Sequence, residues 1–365
     1  MHTSFRTRRI AVLLATTLPF VGKPTLSALT FNFTNGGSVP ADYMAAAVAA
    51  GNLWSGYFTD PITINVQINY SNLGTAVADS SVSSSTVAYG TVRDELIDDA
   101  ITPDDISSSN ALRNGSSAIF LINRTGGSLR MDTGTAGTAA DQNNTELRVP
   151  NAVQKALGLL PGANGALDGQ IDLNSTRSYD TDRSDGIATL SYDLIGVIAH
   201  ELGHVLGFQS TAEIISTTGG IISESSAKPQ VADLFRFSQE SAGLVGTFSG
   251  SGAAPGVFDI SADTRTKYFS VDGGTSSVAQ FARGSSSAVT TFGNGQQANH
   301  WLNSSTPIGL MDPTIGLGEF LSFTSTDLRF FDVIGFNPVP EARSWAAGFL
   351  LMLGAGLLRW RKHAA

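Results

Sequence analysis

The chain has 365 residues, with 22 basic and 31 acidic side chains, a net charge of −9 and no cysteine. This length is sufficient for one large domain or two smaller ones. The absence of cysteine excludes disulfides, cysteine-ligated metal and thiol catalysis, and the acidic balance argues against a nucleic-acid partner, which would require a basic patch.

The N-terminus has the layout of a secretory signal peptide. Three arginines, the first of them Arg6, precede the apolar run 10–20, and small residues follow up to Ala28. We therefore expect residues 1–28 to direct export through the Sec machinery and to be removed near Ala28. The alternative interpretation of this segment is a first helix of the fold.

The body of the protein is predicted to be one domain, residues 29–338, that begins with helices and strands in alternation. Apolar residues alternate with polar ones, or form short runs, in the predicted strands, and they recur at helical spacing in the predicted helices. Strands are predicted at 29–33, 61–70, 118–122 and 169–174, and helices at 41–54 and 152–160. Residues 74–90 are rich in Ser, Thr and Ala and have only a weak pattern. This order predicts an α/β (α+β) fold with a mixed sheet.

A buried helix with the sequence His-Glu-x-x-His is predicted at 194–206. His200 and His204 lie one turn apart on one face of such a helix. They can bind one zinc ion (Zn2+) there, and Glu201 can reach a zinc-bound water. Burying these three side chains costs free energy unless a partner such as zinc pairs with them. Gly207 is expected to end the helix, where a left-handed residue is favoured.

The polar loop before this helix contains a second set of candidate metal ligands. Asp180, Asp182 and Asp185, followed by Gly186, offer the oxygen ligands that calcium (Ca2+) prefers. Their spacing differs from that of an EF-hand. The sequence therefore leaves a calcium site and a solvated loop as alternatives.

A catalytic zinc site generally has three protein ligands and a water, so one ligand is missing from the helix. Ser210 stands where an extended His-Glu-x-x-His-x-x-Gly-x-x-His motif has its third histidine, and a neutral hydroxyl is a poor zinc ligand. His2 and His363 lie in segments that are expected to be removed. His300 is therefore the candidate, although it could instead be a surface histidine beside a packed tryptophan. The alternative ligand is the carboxylate of Glu224.

Taken together, these residues resemble the leishmanolysin-like branch of the metzincin zinc proteases. Gly207 is followed by phenylalanine, His300 by tryptophan, and Met311 comes eleven residues after His300. The resemblance covers about residues 190–335. It implies that His300 is the third zinc ligand and that Met311 lies in a Met-turn beneath the metal. The chain departs from leishmanolysin in having no disulfides.

This resemblance implies a secreted zinc endopeptidase. In that function His200, His204 and His300 bind zinc, and Glu201 is the general base that takes a proton from the attacking water. By analogy with the family, the predicted strand at 169–174 is expected to pair with an extended peptide substrate. The alternative is a cell-surface or extracellular-matrix protein in which zinc is structural and no peptide is cleaved.

The predicted protease domain divides into an N-terminal subdomain, 29–207, and an irregular C-terminal subdomain, 208–338. The second part is rich in Ser and Gly, and its metzincin-like features are the Met-turn and a capped closing helix at 324–335 that ends at Gly335. Ordered patches are expected at 231–237 and 268–272, and a loop at 273–299.

The C-terminal segment, residues 339–365, resembles the PEP-CTERM sorting signal of Gram-negative bacteria. Val-Pro-Glu is followed by Ala342, where the signal usually has a second proline, by the apolar stretch 345–358 and by a basic end. This stretch is short for a bilayer span, and the basic end fits the cytoplasmic side. The resemblance implies transient membrane contact, processing by an exosortase, and a location in the cell envelope, on the outer surface or in the extracellular matrix. A plain membrane anchor is the alternative.

Removal of both ends would make the remaining protein strongly acidic. Residues 1–28 and 342–365 each contain four basic and no acidic side chains, so the body retains 14 basic and 31 acidic side chains and a net charge of −17. Such a charge favours solubility outside the cell.

Overall fold

The computed structural model describes six ranges of the chain. These are residues 28–123, 128–133, 142–219, 227–244, 257–285 and 292–340. The predicted signal peptide, apart from its last residue, and the hydrophobic part of the predicted sorting signal lie outside them. Within the described ranges, no helix is both long and apolar enough to cross a membrane.

Helices and strands are mixed along the whole described chain. The strands are β1 Thr30–Asn35, β2 Thr63–Ser71, β3 Ala78–Val82, β4 Ser84–Ala88, β5 Phe120–Asn123, β6 Leu129–Asp132, β7 Glu146–Pro150, β8 Gly169–Asn174, β9 Tyr179–Asp180, β10 Tyr192–Asp193, β11 Arg236–Phe237, β12 Phe258–Asp259, β13 Lys267–Phe269 and β14 Ala279–Phe281. The helices are α1 Ala41–Ser55, α2 Tyr89–Asp99, α3 Pro103–Asn110, α4 Gln142–Thr145, α5 Asn151–Ala156, α6 Leu194–Val205, α7 Thr211–Thr217, α8 Gln239–Ala242 and α9 Ser325–Val333, and a 3-10 helix spans Val231–Phe235. The fold is therefore mixed, with several sheets, and agrees with the predicted α+β class.

The main sheet has the strand order β1-β2-β8-β3. The first three strands are parallel, and β3 runs antiparallel to β8. In β2 the side chains of Ile64, Val66 and Ile68 are buried and alternate with half-buried polar residues. Because successive side chains point to opposite faces of a strand, one face of this sheet is apolar and packs on the core.

Helix α6 packs on this apolar face, with α1 beside it. Gly169 of β8 permits the close approach, because a Cβ atom there would lie 2.6 Å from a methyl group of Val205. On the other side of α6, the buried Trp54 of α1 donates a hydrogen bond from Nε1 to the carbonyl of Ala199 over 3.0 Å. The helix that contains the His-Glu-x-x-His sequence is thus enclosed by the sheet and by α1.

The expectation that strand 169–174 pairs with a substrate is wrong. Both edges of β8 are occupied, since Ile171 is matched with Ile68 of β2 on one side and with Ser80 of β3 on the other. Among the described residues, β3 is the last strand of the sheet on this side. It arises from the stretch 74–90, whose alternation is weak because its inward positions are occupied by small residues.

The other differences from the predicted elements concern short or polar segments. The expected loop 273–299 contains β14, which pairs with β13, and the helices α2 and α3 were not predicted. Strand β12 pairs with β5 from the first half of the chain, so the two halves share a sheet. The division into subdomains at residue 207 stays a prediction.

The closing helix forms where it was expected. Its N-terminus has a capping box. The side chain of Thr324 accepts a backbone N–H from the first turn of the helix, and the side chain of Asp327 accepts the backbone N–H of Thr324. After its last turn Gly335 has a φ of +110°, a backbone conformation that glycine adopts without strain.

Candidate metal centre

Three histidine side chains converge at the surface of α6. His200 and His204 lie one helical turn apart, and the Nε2 atom of His300 is 3.1 Å from that of His200 and 3.2 Å from that of His204. His300 comes from a segment 96 residues beyond His204. The structure therefore brings together the three residues that the sequence had proposed as ligands.

Backbone carbonyls determine which nitrogen of two of these rings carries the proton. Nδ1 of His200 is 2.7 Å from the carbonyl oxygen of Leu310, and Nδ1 of His204 is 2.9 Å from that of Phe208. Since a carbonyl oxygen accepts only, both Nδ1 atoms donate and both Nε2 atoms present lone pairs. The Nε2 atom of His300 carries at most one proton and can direct it at only one of these lone pairs, so at least one of its two close contacts is not a hydrogen bond.

This arrangement fits a cation such as zinc. Ligands that bind a tetrahedral zinc ion at about 2.0–2.1 Å lie roughly 3.3–3.4 Å from each other, close to the two distances observed between Nε2 atoms. Within the described part of the chain, these three histidines are the one group of three or more potential ligands whose atoms converge. Carbonyl partners on Nδ1 are also the usual means of orienting metal-binding histidines.

The surroundings keep the three rings neutral, the form in which histidine binds a metal. Burial lowers the pKa of His200. The pKa of His204 falls to about 3, first because of burial and then because of the neighbouring His200. Burial lowers the pKa of His300 well below its ordinary value, and the electrostatic cost of a second positive charge beside His204 or His200 lowers it further.

Gly207 gives the helix end the shape that orients His204. With a φ of +122°, it reverses the chain so that the N–H of Gly207 bonds to the carbonyl of His204 and the N–H of Phe208 to that of Gly203. This is a Schellman motif. The same reversal turns the carbonyl of Phe208 back towards the ring of His204. The predicted helix end is confirmed, and its role extends to the site.

His300 is held from two directions. The carbonyl oxygen of His300 accepts the N–H of Ala282 over 3.0 Å. Two residues before His300 in the chain, the N–H of Ala298 donates to the carboxylate of Glu213 in α7 over 2.8 Å. The next residue, Trp301, is fully buried. Of the alternatives left open by the sequence, a surface histidine is excluded, because His300 is itself buried.

Met311 lies directly beneath the helix. It is fully buried, and a Cβ atom at Gly203 would overlap its sulfur. Gly203 lies between His200 and His204 and has no side chain, so it leaves the space that Met311 occupies.

The buried carboxylate of Asp327 joins the closing helix to both segments that approach the histidines. It accepts hydrogen bonds of 2.8 Å from Nε1 of Trp301 and from the N–H of Leu310, and one of 3.4 Å from the N–H of Met311. Leu310 is also the residue whose carbonyl orients His200. A single side chain therefore holds the His300 segment and the turn around Met311 in one arrangement.

The side chain of Glu201 lines the same cavity as the three histidines. This cavity has a volume of about 600 Å³. Its Oε2 accepts a hydrogen bond of 2.6 Å from the hydroxyl of Ser80. Burial raises the pKa of Glu201 to about 7, and the hydrogen bond from Ser80 opposes that rise. A base with a pKa near neutrality is suited to proton transfer at physiological pH.

Ser210, Asp180 and Asp182 have other hydrogen-bond partners. Ser210 caps α7 and donates to the buried carboxylate of Asp233 over 2.6 Å, so its hydroxyl has a structural partner. Asp180 and Asp182 accept backbone N–H groups of their own loop, and calcium binding there stays a prediction. Glu224 lies outside the described residues.

Sequence reasoning missed two residues of this site. Asp327 has a local sign, since Thr324 and Asp327 are spaced as in a capping box, but that spacing does not predict contacts with Trp301 or Leu310. Ser80 occurs in a stretch rich in serine, and nothing in its spacing distinguishes it from its neighbours.

Comparison of the chain with models of protein families, with curated proteins and with solved structures finds no match.

Proposed function

We propose that the chain is a zinc-dependent endopeptidase. The observation that carries this proposal is the meeting of three histidine Nε2 atoms beside a glutamate in one open cavity. His200, His204 and His300 would hold the metal. A structural zinc site has four protein ligands, whereas a catalytic site has three and an open position. Among the described residues, three are found together here.

A bound zinc ion would polarise the scissile carbonyl and lower the pKa of a water molecule towards 7. The residues of the chain supply the remaining functions. Glu201 accepts a proton from the attacking water at its carboxylate and delivers it to the leaving amine. The carbonyls of Leu310 and Phe208 keep His200 and His204 oriented, and the cavity admits the substrate.

We further propose a metzincin-like arrangement for the domain. Three features support it: an active-site helix that ends in a glycine reversal at Gly207, a third histidine contributed from far along the chain, and Met311 packed beneath the helix against Gly203. In this arrangement the edge strand β3, which lines the cavity, replaces β8 as the strand next to the substrate.

The proposal includes export. The predicted signal peptide and sorting signal would place the protein in the cell envelope, on the outer surface or in the extracellular matrix, where protein or peptide substrates are available. Mass spectrometry of the secreted protein tests this part, because an intact Met1 would contradict removal of the signal peptide.

The decisive experiment combines metal analysis with a protease assay. We expect about one zinc ion per chain and digestion of casein or gelatin that a chelator abolishes and added zinc restores. Glu201→Gln should retain zinc but lose hydrolysis, because the amide cannot accept the proton. His300→Ala should lose zinc.

Three results would count against the proposal. Full activity of Glu201→Gln would refute the assigned base. Unchanged zinc content in His300→Ala would move the third ligand elsewhere. A zinc-loaded wild type that cleaves no peptide would favour the alternative, a non-catalytic surface or matrix protein stabilised by zinc.

A further inference from the structure

Ser80 stands at an unexpected position for a polar side chain. In β3, Ala78, Ser80 and Val82 are half-buried and face α6, whereas Asp79 and Ser81 are exposed. A polar group on the inward face of a strand is unfavourable unless it has a hydrogen-bond partner. Its partner here is the one acidic side chain of α6.

The contact between Ser80 and Glu201 is short and uses one carboxylate oxygen. The hydroxyl donates to Oε2 over 2.6 Å, a length typical of O–H···O⁻ hydrogen bonds, which are about 2.5–2.7 Å long and stronger than neutral ones. The other oxygen of the carboxylate is left for a second partner. Glu201 and Ser80 both line the cavity that contains the histidines.

Both ends of this hydrogen bond lie on rigid elements. Ser80 is in register with the fully buried Ile171 of β8, and Glu201 is in the middle of α6. The close packing of α6 on β8 at Gly169 sets the distance between the strand and the helix. A long, flexible glutamate side chain is thereby held to a fixed point of the sheet.

We propose that Ser80 is a positioning residue for the general base. Its hydroxyl fixes the carboxylate of Glu201 by Oε2, so that Oε1 is directed towards the reacting water in the histidine cluster. This inference rests on the proposed function. Its physical basis is that a base held within about half an ångström of the productive geometry transfers a proton faster than one that samples several rotamers.

The test compares Ser80→Ala with three other variants of the zinc-loaded protein on a quenched-fluorescence peptide that the wild type cleaves. We expect Ser80→Ala to lower kcat by about 10- to 100-fold and to leave KM within about twofold of the wild type. Ser80→Thr, which retains a hydroxyl on a β-branched side chain suited to a strand, should restore most of kcat. Ser81→Ala is the matched control, because it makes the same change one residue along at an exposed position.

Two further measurements separate positioning from a structural role. Zinc content should be the same in all serine variants. In the Glu201→Gln background, adding Ser80→Ala should lower the residual rate no further, because the group that Ser80 positions is no longer a base.

The possible failures are distinguishable. A wild type without chelator-sensitive hydrolysis would overturn the proposed function and this inference together. An active wild type whose kcat is unchanged by Ser80→Ala, or is not restored by Ser80→Thr, would overturn the inference and leave the function standing.

Discussion

Replacement of Asp327 by alanine tests how the closing helix supports the histidine cluster. The change removes three hydrogen bonds of 2.8 Å, which the carboxylate accepts from Nε1 of Trp301 and from the N–H groups of Leu310 and Thr324. In Asp327→Ala these three donors lose their acceptor, at a place where the side chains of Asp327 and Trp301 are fully buried.

The magnitude follows from two opposing contributions. Hydrogen bonds to a charged group contribute about 1.5–3 kcal/mol each, so three of them are worth roughly 5–9 kcal/mol. Removing the buried carboxylate recovers its desolvation cost, which is several kcal/mol. We therefore expect Asp327→Ala to lower the free energy of unfolding by about 3–4 kcal/mol.

At the proposed zinc site the effect should extend to metal binding, because the carbonyl of Leu310 orients His200 and Trp301 follows His300. Losses of indirect partners typically weaken metal binding 10- to 100-fold, and we expect about tenfold here. Urea unfolding in the presence of a chelator measures the first effect, and competition with a chromophoric zinc indicator measures the second.

Thr324→Ala is the control for Asp327→Ala. Its side chain caps the same helix, so its loss should cost about 1 kcal/mol and leave zinc affinity unchanged. If Asp327→Ala and Thr324→Ala had the same unfolding midpoint and the same zinc affinity, Asp327 would act only as a cap and would not support the histidine cluster.

Two other predictions concern stability. Burial raises the pKa of Asp60 to about 7, so the folded state retains a proton that the unfolded state releases above about pH 4. The free energy of unfolding should therefore fall as pH rises from about 4 to 7. The variant Asp60→Asn can still accept the N–H of Asn337 and should be more stable than the wild type at pH 8 by up to about 3 kcal/mol. Equal pH profiles of urea midpoints in the two proteins would contradict this. Gly207→Ala should cost about 2–3 kcal/mol, because its φ is +122° and its Cβ would lie 2.7 Å from a methyl group of Val153. Gly158→Ala is its control, with positive φ but open space around the Cβ, and an equal loss in thermal unfolding for both variants would show that contact with Val153 has no effect.

Local patterns predicted the elements that contain the site. The helix from Leu194 to Val205 was predicted because apolar residues recur at helical spacing, and its end at Gly207 because a left-handed residue is needed there. The closing helix was predicted from its cap at Thr324 and its glycine at Gly335. These features depend on residues at most a few positions apart, which makes them visible in the sequence.

Patterns failed where the neighbours of a strand decide its role. The alternation at 169–174 indicated a strand, but only the sheet shows that β8 lies between β2 and β3 and that its edges are not free. The stretch that contains β3 is composed of small and polar residues with weak alternation. Its role as the strand beside the cavity depends on pairing with a segment about 90 residues further along the chain.

His300 illustrates the division between the two kinds of information. By itself the sequence determined that two histidines lie one turn apart on α6, because helical geometry alone sets that distance. It also reduced the choice of a third ligand to His300 and a carboxylate. The tertiary structure decided that His300 meets them and that the carbonyls of Leu310 and Phe208 orient the first two rings. It also decided that Asp327 binds Trp301 and Leu310, and that Ser80 binds Glu201. Such choices depend on long-range packing of the sheet, the helix and the turn around Met311, and no local periodicity records which distant side chain will be brought within 3 to 4 Å of another.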